Sequence, residues 1–288
     1  MPAAGEEWKS LVAEETARRH IVSRYWRNRL LGWAVSRRTR KERVESEYGQ
    51  IWSQIDLSAI CDPVKDRMPH QWRDEGLILN SSVTQRLHLD LMTKALRLVR
   101  PNTVLEVGSG WGINLVVLSC QNPEARFQGV ELTRSGVALA RSLAAADALP
   151  APVLRLMPGP PNDPTGYRHI KVDQGSAEQL PYPDASFDLV MTRLALEQME
   201  SIRDRALSEI ARVARSHVLM VESFHEMNDE GIRGQYAVGS NYFRGRIADL
   251  PRYGLEPVAT FCDWPHKITL KPVLVLARKT NASAGQRQ

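Results

Sequence analysis

The sequence predicts an α/β fold, in which a mostly parallel sheet follows a helical N-terminal segment. From Thr103 onward, short apolar strands alternate with amphipathic helices, which is the pattern of a parallel sheet covered by helices on both faces. The last two strands are separated only by Asp263–Ile268. That link is too short for a crossover helix, so these strands should form an antiparallel pair. Before Ser82 the apolar residues recur at helical spacing instead.

Residues 1–81 are predicted to be a helical extension. One apolar stripe at helical spacing consists of Val22, Tyr25, Trp26, Leu30 and Trp33. A second helix is expected over Arg43–Ile55, and an irregular stretch over Cys61–Gly76. The main domain should span residues 82–280, and residues 281–288 should form a disordered tail.

Within the main domain, Ser82 is expected to cap a helix that ends near Val99. The predicted strands are Thr103–Val107, Arg126–Glu131, Ile170–Asp173, Phe187–Thr192, His217–Glu222, Glu256–Cys262 and Thr269–Ala277. The predicted helices are Ile113–Cys120, Ser135–Ala146, Ile202–Ala214 and Tyr242–Leu250. Leu149–Tyr167 holds six prolines in nineteen residues, so a loop is expected there.

Charge is unevenly distributed along the chain. The net charge is +5, yet Arg18–Arg43 alone holds ten Lys/Arg and one acid. This basic segment allows three interpretations: a solvated helix that acts as a lid or homodimer contact, a helix lying on an anionic membrane surface, or, less favoured, a nucleic-acid contact. With no long apolar run, no secretory signal and only three dispersed cysteines, a cytoplasmic protein without a metal site is expected. Peripheral membrane attachment stays open.

A glycine-rich turn follows the first strand of the main domain. The turn contains Gly108, Gly110 and Gly112. The third glycine comes one position earlier than in the dinucleotide-binding fingerprint G-x-G-x-x-G. Glu106 precedes them by two residues, where a carboxylate would repel a pyrophosphate but attract an ammonium and a sulfonium. Glu131 ends the next strand, where an acid can accept hydrogen bonds from a ribose diol. The turn therefore predicts a site for a cationic nucleoside.

With these motifs, Ser82–Lys279 resembles the class I S-adenosylmethionine (SAM)-dependent methyltransferases of the small-molecule type. Glu106–Gly112 is similar to the family's first motif, Gln174–Asp188 to its adenine stretch, and Thr192–Gln198 to its fourth motif; Ser176 stands where the family usually has Asp. The resemblance implies a Rossmann-like, doubly wound seven-stranded sheet of order 3-2-1-4-5-7-6 with strand 7 antiparallel, SAM as cofactor and S-adenosylhomocysteine as product. It implies these cofactor-binding residues: Glu106, Gly108, Ser109, Gly110, Gly112, Glu131, Leu132, Ser176, Ala177 and Thr192.

Methyl transfer needs alignment of the acceptor, and a general base when the acceptor is a weak nucleophile. His225 and Glu197, which follow two strands, are the candidate bases, although a surface histidine and a capping acid are alternatives. The tentative acceptor contacts are Tyr48, Trp52, Tyr236, Tyr242 and Arg244, with Trp72 and Leu149–Tyr167 shaping the pocket. His88 is expected to pack structurally.

The expected function is methyl transfer to a small-molecule, lipid or glycan acceptor, on an oxygen. An RNA or protein methyltransferase that docks through the basic helix remains an alternative. A non-catalytic partner subunit with the same fold is another.

Overall fold

A computed structural model describes residues 4–35, 40–55 and 67–280. The N-terminal region begins with helices α1 (Ala4–Arg18), α2 (Ile21–Val35) and α3 (Arg40–Ser53). His20 has a φ of 48°, and this left-handed residue separates α1 from α2. The predicted disordered tail, 281–288, lies outside the described residues.

A β-hairpin, β1 (Arg67–Trp72) and β2 (Glu75–Asn80), follows the N-terminal helices. The prediction of irregular structure was wrong over residues 67–76, where the strands pair antiparallel. Pro69 and a turn without glycine concealed the hairpin in the sequence. The Trp8 indole N–H donates to the His70 carbonyl at 2.7 Å, and so ties α1 to the hairpin.

The main domain continues with elements that alternate along the chain. They are α4 (Ser81–Val99), β3 (Thr103–Val107), α5 (Ile113–Gln121), β4 (Arg126–Glu131), α6 (Arg134–Ala144), α7 (Ala151–Arg155), β5 (Lys171–Gln174), β6 (Phe187–Arg193), α8 (Arg203–Val213), β7 (Ala214–Glu222), α9 (Gly231–Ser240), β8 (Leu255–Phe261), β9 (His266–Lys267) and β10 (Val273–Lys279). The sheet has the order β5-β4-β3-β6-β7-β10-β8, and β10 is antiparallel to β7 and β8. This is the predicted strand order and the predicted antiparallel strand, so the fold class is confirmed.

The inner strands β3, β4, β6, β7 and β10 are largely buried on both faces, as a parallel sheet requires, whereas most of the edge strand β8 is exposed. Along β3, Val104 belongs to one core cluster, while Leu105 and Val107 belong to the other. Successive side chains of a strand point to opposite faces, so the two clusters are the two helix-covered layers. The carboxyl edge of the sheet lies between these layers and is left for the site.

Two segments differ from their predictions. Leu149–Tyr167 was predicted to be a loop, but it contains the short helix α7 (Ala151–Arg155). The segment is packed: Val153 and Tyr167 are buried, and Gly166 lies so close to α5 that an added Cβ would be 2.6 Å from the Ser119 carbonyl oxygen. The helix predicted at Tyr242–Leu250 is misplaced, because α9 has already ended at the left-handed Asn241. The glycines within α9 lower its helix propensity and hid it in the sequence.

Candidate cofactor and acceptor site

The glycine turn after β3 has a backbone conformation that other residues adopt only with strain. Gly108, Gly110 and Gly112 have φ values of 73°, 54° and 79°, in the left-handed region that favours glycine. An added Cβ would lie 2.7 Å from the Ala195 Cβ at Gly108, and 2.7 Å from the Ala140 Cβ at Gly112. The turn is therefore bare backbone at the carboxyl edge of the sheet.

A cavity of about 320 Å³ opens over this turn, within the size range of small-molecule sites. Seven of the predicted cofactor residues line it: Gly108, Ser109, Gly110, Glu131, Leu132, Ser176 and Ala177. Tyr48 and Trp52 of α3 close the cavity from the N-terminal side, and an added Cβ at Gly110 would be 3.1 Å from the Trp52 ring. Glu106, Gly112 and Thr192 are not among the lining residues.

Glu131 is held at the cavity wall by the backbone. Its Oε2 accepts from the Gly110 N–H at 2.9 Å, and its Oε1 accepts from the N–H and hydroxyl of Thr133 at 2.9 and 2.7 Å. An ionised carboxylate has about four acceptor positions. Glu131 can therefore still accept from a ribose hydroxyl while it fixes the turn.

Glu106 lies beneath the turn and is fully buried. Its Oε1 accepts from the Asn114 side-chain amide at 2.6 Å, whereas its Oε2 has no hydrogen-bond partner. Burial, with a smaller contribution from the charge of Glu131 on the neighbouring strand, raises the pKa of Glu106 to about 8, although the Asn114 amide and Arg193 act in the opposite direction. The two acids therefore lie close enough to interact. A nearby cation would favour the ionised form of Glu106.

Arg193 was missed in the sequence. It ends β6, and the pKa of its guanidinium is lowered by burial and raised again by the carboxyls of Glu106, Glu222 and Glu197. The only signal in the sequence is a charged residue that ends a buried strand at the sheet's carboxyl edge. The guanidinium can balance the charge of a buried carboxylate, so the three carboxyls around it need not all be protonated.

Burial also raises the pKa of Glu197 to about 7 and that of Glu222 to about 8. The Glu222 Oε1 accepts from the Ala195 N–H at 3.0 Å, so this carboxyl supports the backbone next to Gly108. All three acids hold their protons to higher pH in the folded chain than the ordinary value of 4.5.

We expect the free energy of unfolding to fall as pH rises from 6.5 to 8. In this range the unfolded chain has already released the protons of Glu106 and Glu222, while the folded chain still binds them, so stability decreases with pH. Each of these two carboxyl groups can lower the free energy of unfolding by up to about 1.4 kcal/mol per pH unit. Urea unfolding at both pH values measures the change, and Glu222→Gln should make it smaller. A free energy of unfolding that rises between these two pH values would contradict the raised pKa values of Glu106 and Glu222.

A second cavity of about 270 Å³ adjoins the first. Four residues line both cavities and form the partition between them: Gln85, Arg193, Leu194 and Glu197. The second cavity also contains Tyr236 and Tyr242, whose hydroxyls are 3.4 Å apart. Arg19, just before α2, donates to the Tyr236 hydroxyl at 2.6 Å. The N-terminal region and the main domain therefore build this cavity together.

His88 also lines the second cavity, although it was expected only to pack structurally. It packs edge-on against Trp264, with ring centroids 5.1 Å apart, as expected for a packed histidine. However, neither ring nitrogen has a hydrogen-bond partner, and burial lowers the pKa of His88 well below its ordinary value. A neutral imidazole offers one donor and one acceptor to a ligand.

The other predicted site residues lie elsewhere. His225 is on a short turn, where its backbone N–H donates to the Gly245 carbonyl. Arg244 is paired with Glu200 at 3.1 Å, and Trp72 donates to Asp263 at 2.8 Å. None of these, and no residue of the proline-rich segment 149–167, is among the lining residues of the two cavities.

Comparison with known proteins is consistent with this site. A family model described as a methyltransferase domain matches residues 105–221. An uncharacterized methyltransferase of Bacillus subtilis (strain 168), YcgJ, is 30% identical over 127 residues, which are 44% of this chain and 42% of that protein. Ajmaline N-methyltransferase of Rauvolfia serpentina is 26% identical over 130 residues, 45% of this chain and 38% of the relative. The chain thus spans about two fifths of the length of these curated relatives.

Among solved structures, the [4+2]-cyclase SpnF has a TM-score of 0.59 at 18% identity, over 83% of this chain and 96% of that one. Likeness at this identity supports the fold and says nothing of the reaction. The domain match includes β3, the glycine turn and Glu131, and the sheet has the order expected of the family. SAM is therefore the cofactor that this site indicates, and residues 105–221 are similar to a methyltransferase domain.

Proposed function

We propose that the protein transfers the methyl group of SAM to an oxygen of a small-molecule, lipid or glycan acceptor in the second cavity. The observation that carries this proposal is the position of Glu197, which lines both cavities. Cofactor and acceptor would meet across the partition that this residue helps to form. Bringing the two reactants together in line is the main catalytic contribution that a methyltransferase must make.

When bound, SAM supplies a methyl group on a sulfonium. The glycine turn and Glu131 would hold SAM, whose methyl group would pass to the acceptor oxygen and leave S-adenosylhomocysteine as the product. The acceptor's proton passes to the Glu197 carboxylate. A pKa of about 7 suits a base that works near neutral pH. Tyr236, Tyr242 and the neutral His88 would orient the acceptor by hydrogen bonds.

The acceptor class rests on the size and polarity of the second cavity, and on the small molecule in the name of one relative, ajmaline N-methyltransferase. RNA or protein acceptors and a non-catalytic partner role remain alternatives, and no contact of the described residues favours them. A cytoplasmic location and the use of residues 18–43 at a membrane surface belong to this proposal too. No helix in the described part of the chain is long and apolar enough to cross a bilayer.

The test supplies the protein with methyl-labelled SAM and a cell extract. Label should enter an acceptor that separates from protein and nucleic acid, and mild base should not release it if an ether has formed. Calorimetry with S-adenosylhomocysteine should show one site per chain. Product binding without label transfer to any fraction would overturn the catalytic proposal, and label in RNA or protein would overturn its acceptor class.

A further inference from the structure

Helix α2 carries a row of large apolar side chains on its exposed face. Val22, Trp26 and Leu30 are 50%, 53% and 65% exposed, and they follow one another at four-residue intervals, on one side of a helix. We infer that this row, the α2 stripe, docks on the surface of an anionic lipid bilayer.

The rest of α2 is fixed to the main domain. Ile21 is buried, and the Asn28 side-chain amide donates to the Gly239 carbonyl of α9 at 2.8 Å. The backbones approach closely there, since an added Cβ at Gly239 would be 3.1 Å from the Tyr25 nitrogen. The stripe is therefore the outer side of a packed helix, held in a defined orientation on the enzyme.

Arg29 lies between Trp26 and Leu30 in the sequence, and it would oppose insertion if its charge had to enter the apolar phase. In the structure its Nη1 donates to the Tyr25 hydroxyl at 2.7 Å, and the guanidinium lies 5.8 Å from the centre of that ring. A long side chain can keep its charge at the polar surface while its stem lies along apolar groups. Arg29 is thus compatible with an interfacial helix.

Charge identifies the kind of surface. Arg18–Arg43 holds ten Lys/Arg and one acid, whereas the rest of the chain holds 28 Lys/Arg and 32 Asp/Glu. Basic residues around exposed Trp and Leu are the composition of helices that lie in an anionic lipid interface, with the apolar face about 5–10 Å deep. Each cation near such a surface adds to the attraction.

The composition of the stripe distinguishes a bilayer from the other anionic partner, nucleic acid. Phosphate contacts use cations and polar groups, and they give no role to the exposed Val22 and Leu30. A second copy of this chain would bring two strongly basic segments together, and like charges repel. A bilayer accounts for both the apolar row and the charge around it.

Docking would also restrict the class of methyl acceptor. This conclusion rests on the proposed function. Arg19, in the wall of the second cavity, precedes Val22 by three residues. A docked α2 stripe would thus bring that wall near the lipid phase. The favoured acceptor is then an amphiphile that resides in the membrane, taken up through its polar end.

Flotation with vesicles tests the docking without any need for activity. The full chain should float with vesicles of phosphatidylcholine and phosphatidylglycerol, much less with phosphatidylcholine alone, and less in high salt. The double variant Trp26→Ser and Leu30→Ser should lose at least ten-fold of its partition coefficient. The matched control, Leu98→Ser and Leu154→Ser, removes two side chains that are 77% and 50% exposed on α4 and α7, and should float like the unchanged chain.

Equal flotation of the stripe variant and the unchanged chain would overturn the inference. So would a lack of flotation combined with a polynucleotide shift at low salt, which would favour nucleic acid, or combined with a dimer that the stripe variant abolishes, which would favour a second copy. Binding of S-adenosylhomocysteine is measured alongside. If it is intact in the stripe variant while flotation is lost, the defect lies in docking alone. If it is absent from the unchanged chain, the proposed function fails and the docking result still stands.

Discussion

Glu197→Gln should reduce kcat for methyl transfer by about 10²- to 10⁴-fold, the contribution typical of a positioned general base. Glutamine keeps the size of the side chain and its hydrogen-bonding capacity, but it cannot take up the acceptor's proton. In the unchanged enzyme the rate should rise with pH through about 7, as Glu197 loses its proton. The variant should lack this rise. The measurement is initial rate against pH, with the acceptor recovered from the labelled extract.

Binding separates this effect from a misfolded site. The affinity of Glu197→Gln for S-adenosylhomocysteine should stay close to that of the unchanged chain, because the glycine turn and Glu131 are not altered. Glu230→Gln, an exposed acid at the start of α9, is the matched control and should keep the full rate. A Glu197→Gln enzyme with an unchanged rate and pH profile would show that the acceptor's proton leaves by another route.

Gly110→Arg should weaken S-adenosylhomocysteine binding at least 100-fold, which corresponds to about 2.7 kcal/mol. The backbone at this position has a left-handed φ of 54°, and its N–H holds the Glu131 carboxylate. An arginine side chain would have to enter the space between Trp52 and the turn, where an added Cβ is already 3.1 Å from the Trp52 ring, and it would occupy the room that the nucleoside needs. Calorimetry measures both the affinity and the number of sites.

Gly159→Arg is the matched control, since an added Cβ there meets no atom within 4 Å. Circular dichroism melting checks that both variants fold. The left-handed position costs a non-glycine residue about 1–2 kcal/mol, so Gly110→Arg should melt at a somewhat lower temperature and still unfold cooperatively. A folded Gly110→Arg variant with unchanged affinity would remove this turn from the cofactor site.

The central sheet could be predicted because local patterns determine it. Strand-helix alternation specifies parallel neighbours, and the short link predicted at Asp263–Ile268 excluded a crossover helix. The observed link between β8 and β10 is longer, 262–272, and includes β9. The hairpin β1–β2 could not be predicted in the same way, because β1 is stabilised by pairing with β9 about two hundred residues later. Helix α9 was missed since its glycines weaken the local signal, while its packing against α2 compensates.

The glycine turn and Glu131 lie in one run of sequence and at the end of the neighbouring strand, so spacing and charge could predict them. The second cavity could be predicted only in part: Tyr236 and Tyr242 were expected as acceptor contacts, and both line it. Arg19 and His88 were not expected there, because only the folded chain brings them to these tyrosines. Arg193 is an intermediate case: its place at a strand end was visible, but the three carboxyls around it were not.

The contacts of Trp52 have a practical consequence for dissecting this protein. A fragment that starts at residue 82, or one trimmed to the matched span 105–221, retains every glycine of the turn. Both fragments lack the indole and the phenol of α3, which close the cavity on one side. The Ser135 hydroxyl would also lose the Gly49 carbonyl to which it donates at 2.9 Å. Such a fragment would leave the nucleoside open to water. The unit that sequence matching recognises is therefore smaller than the unit that can enclose a cofactor.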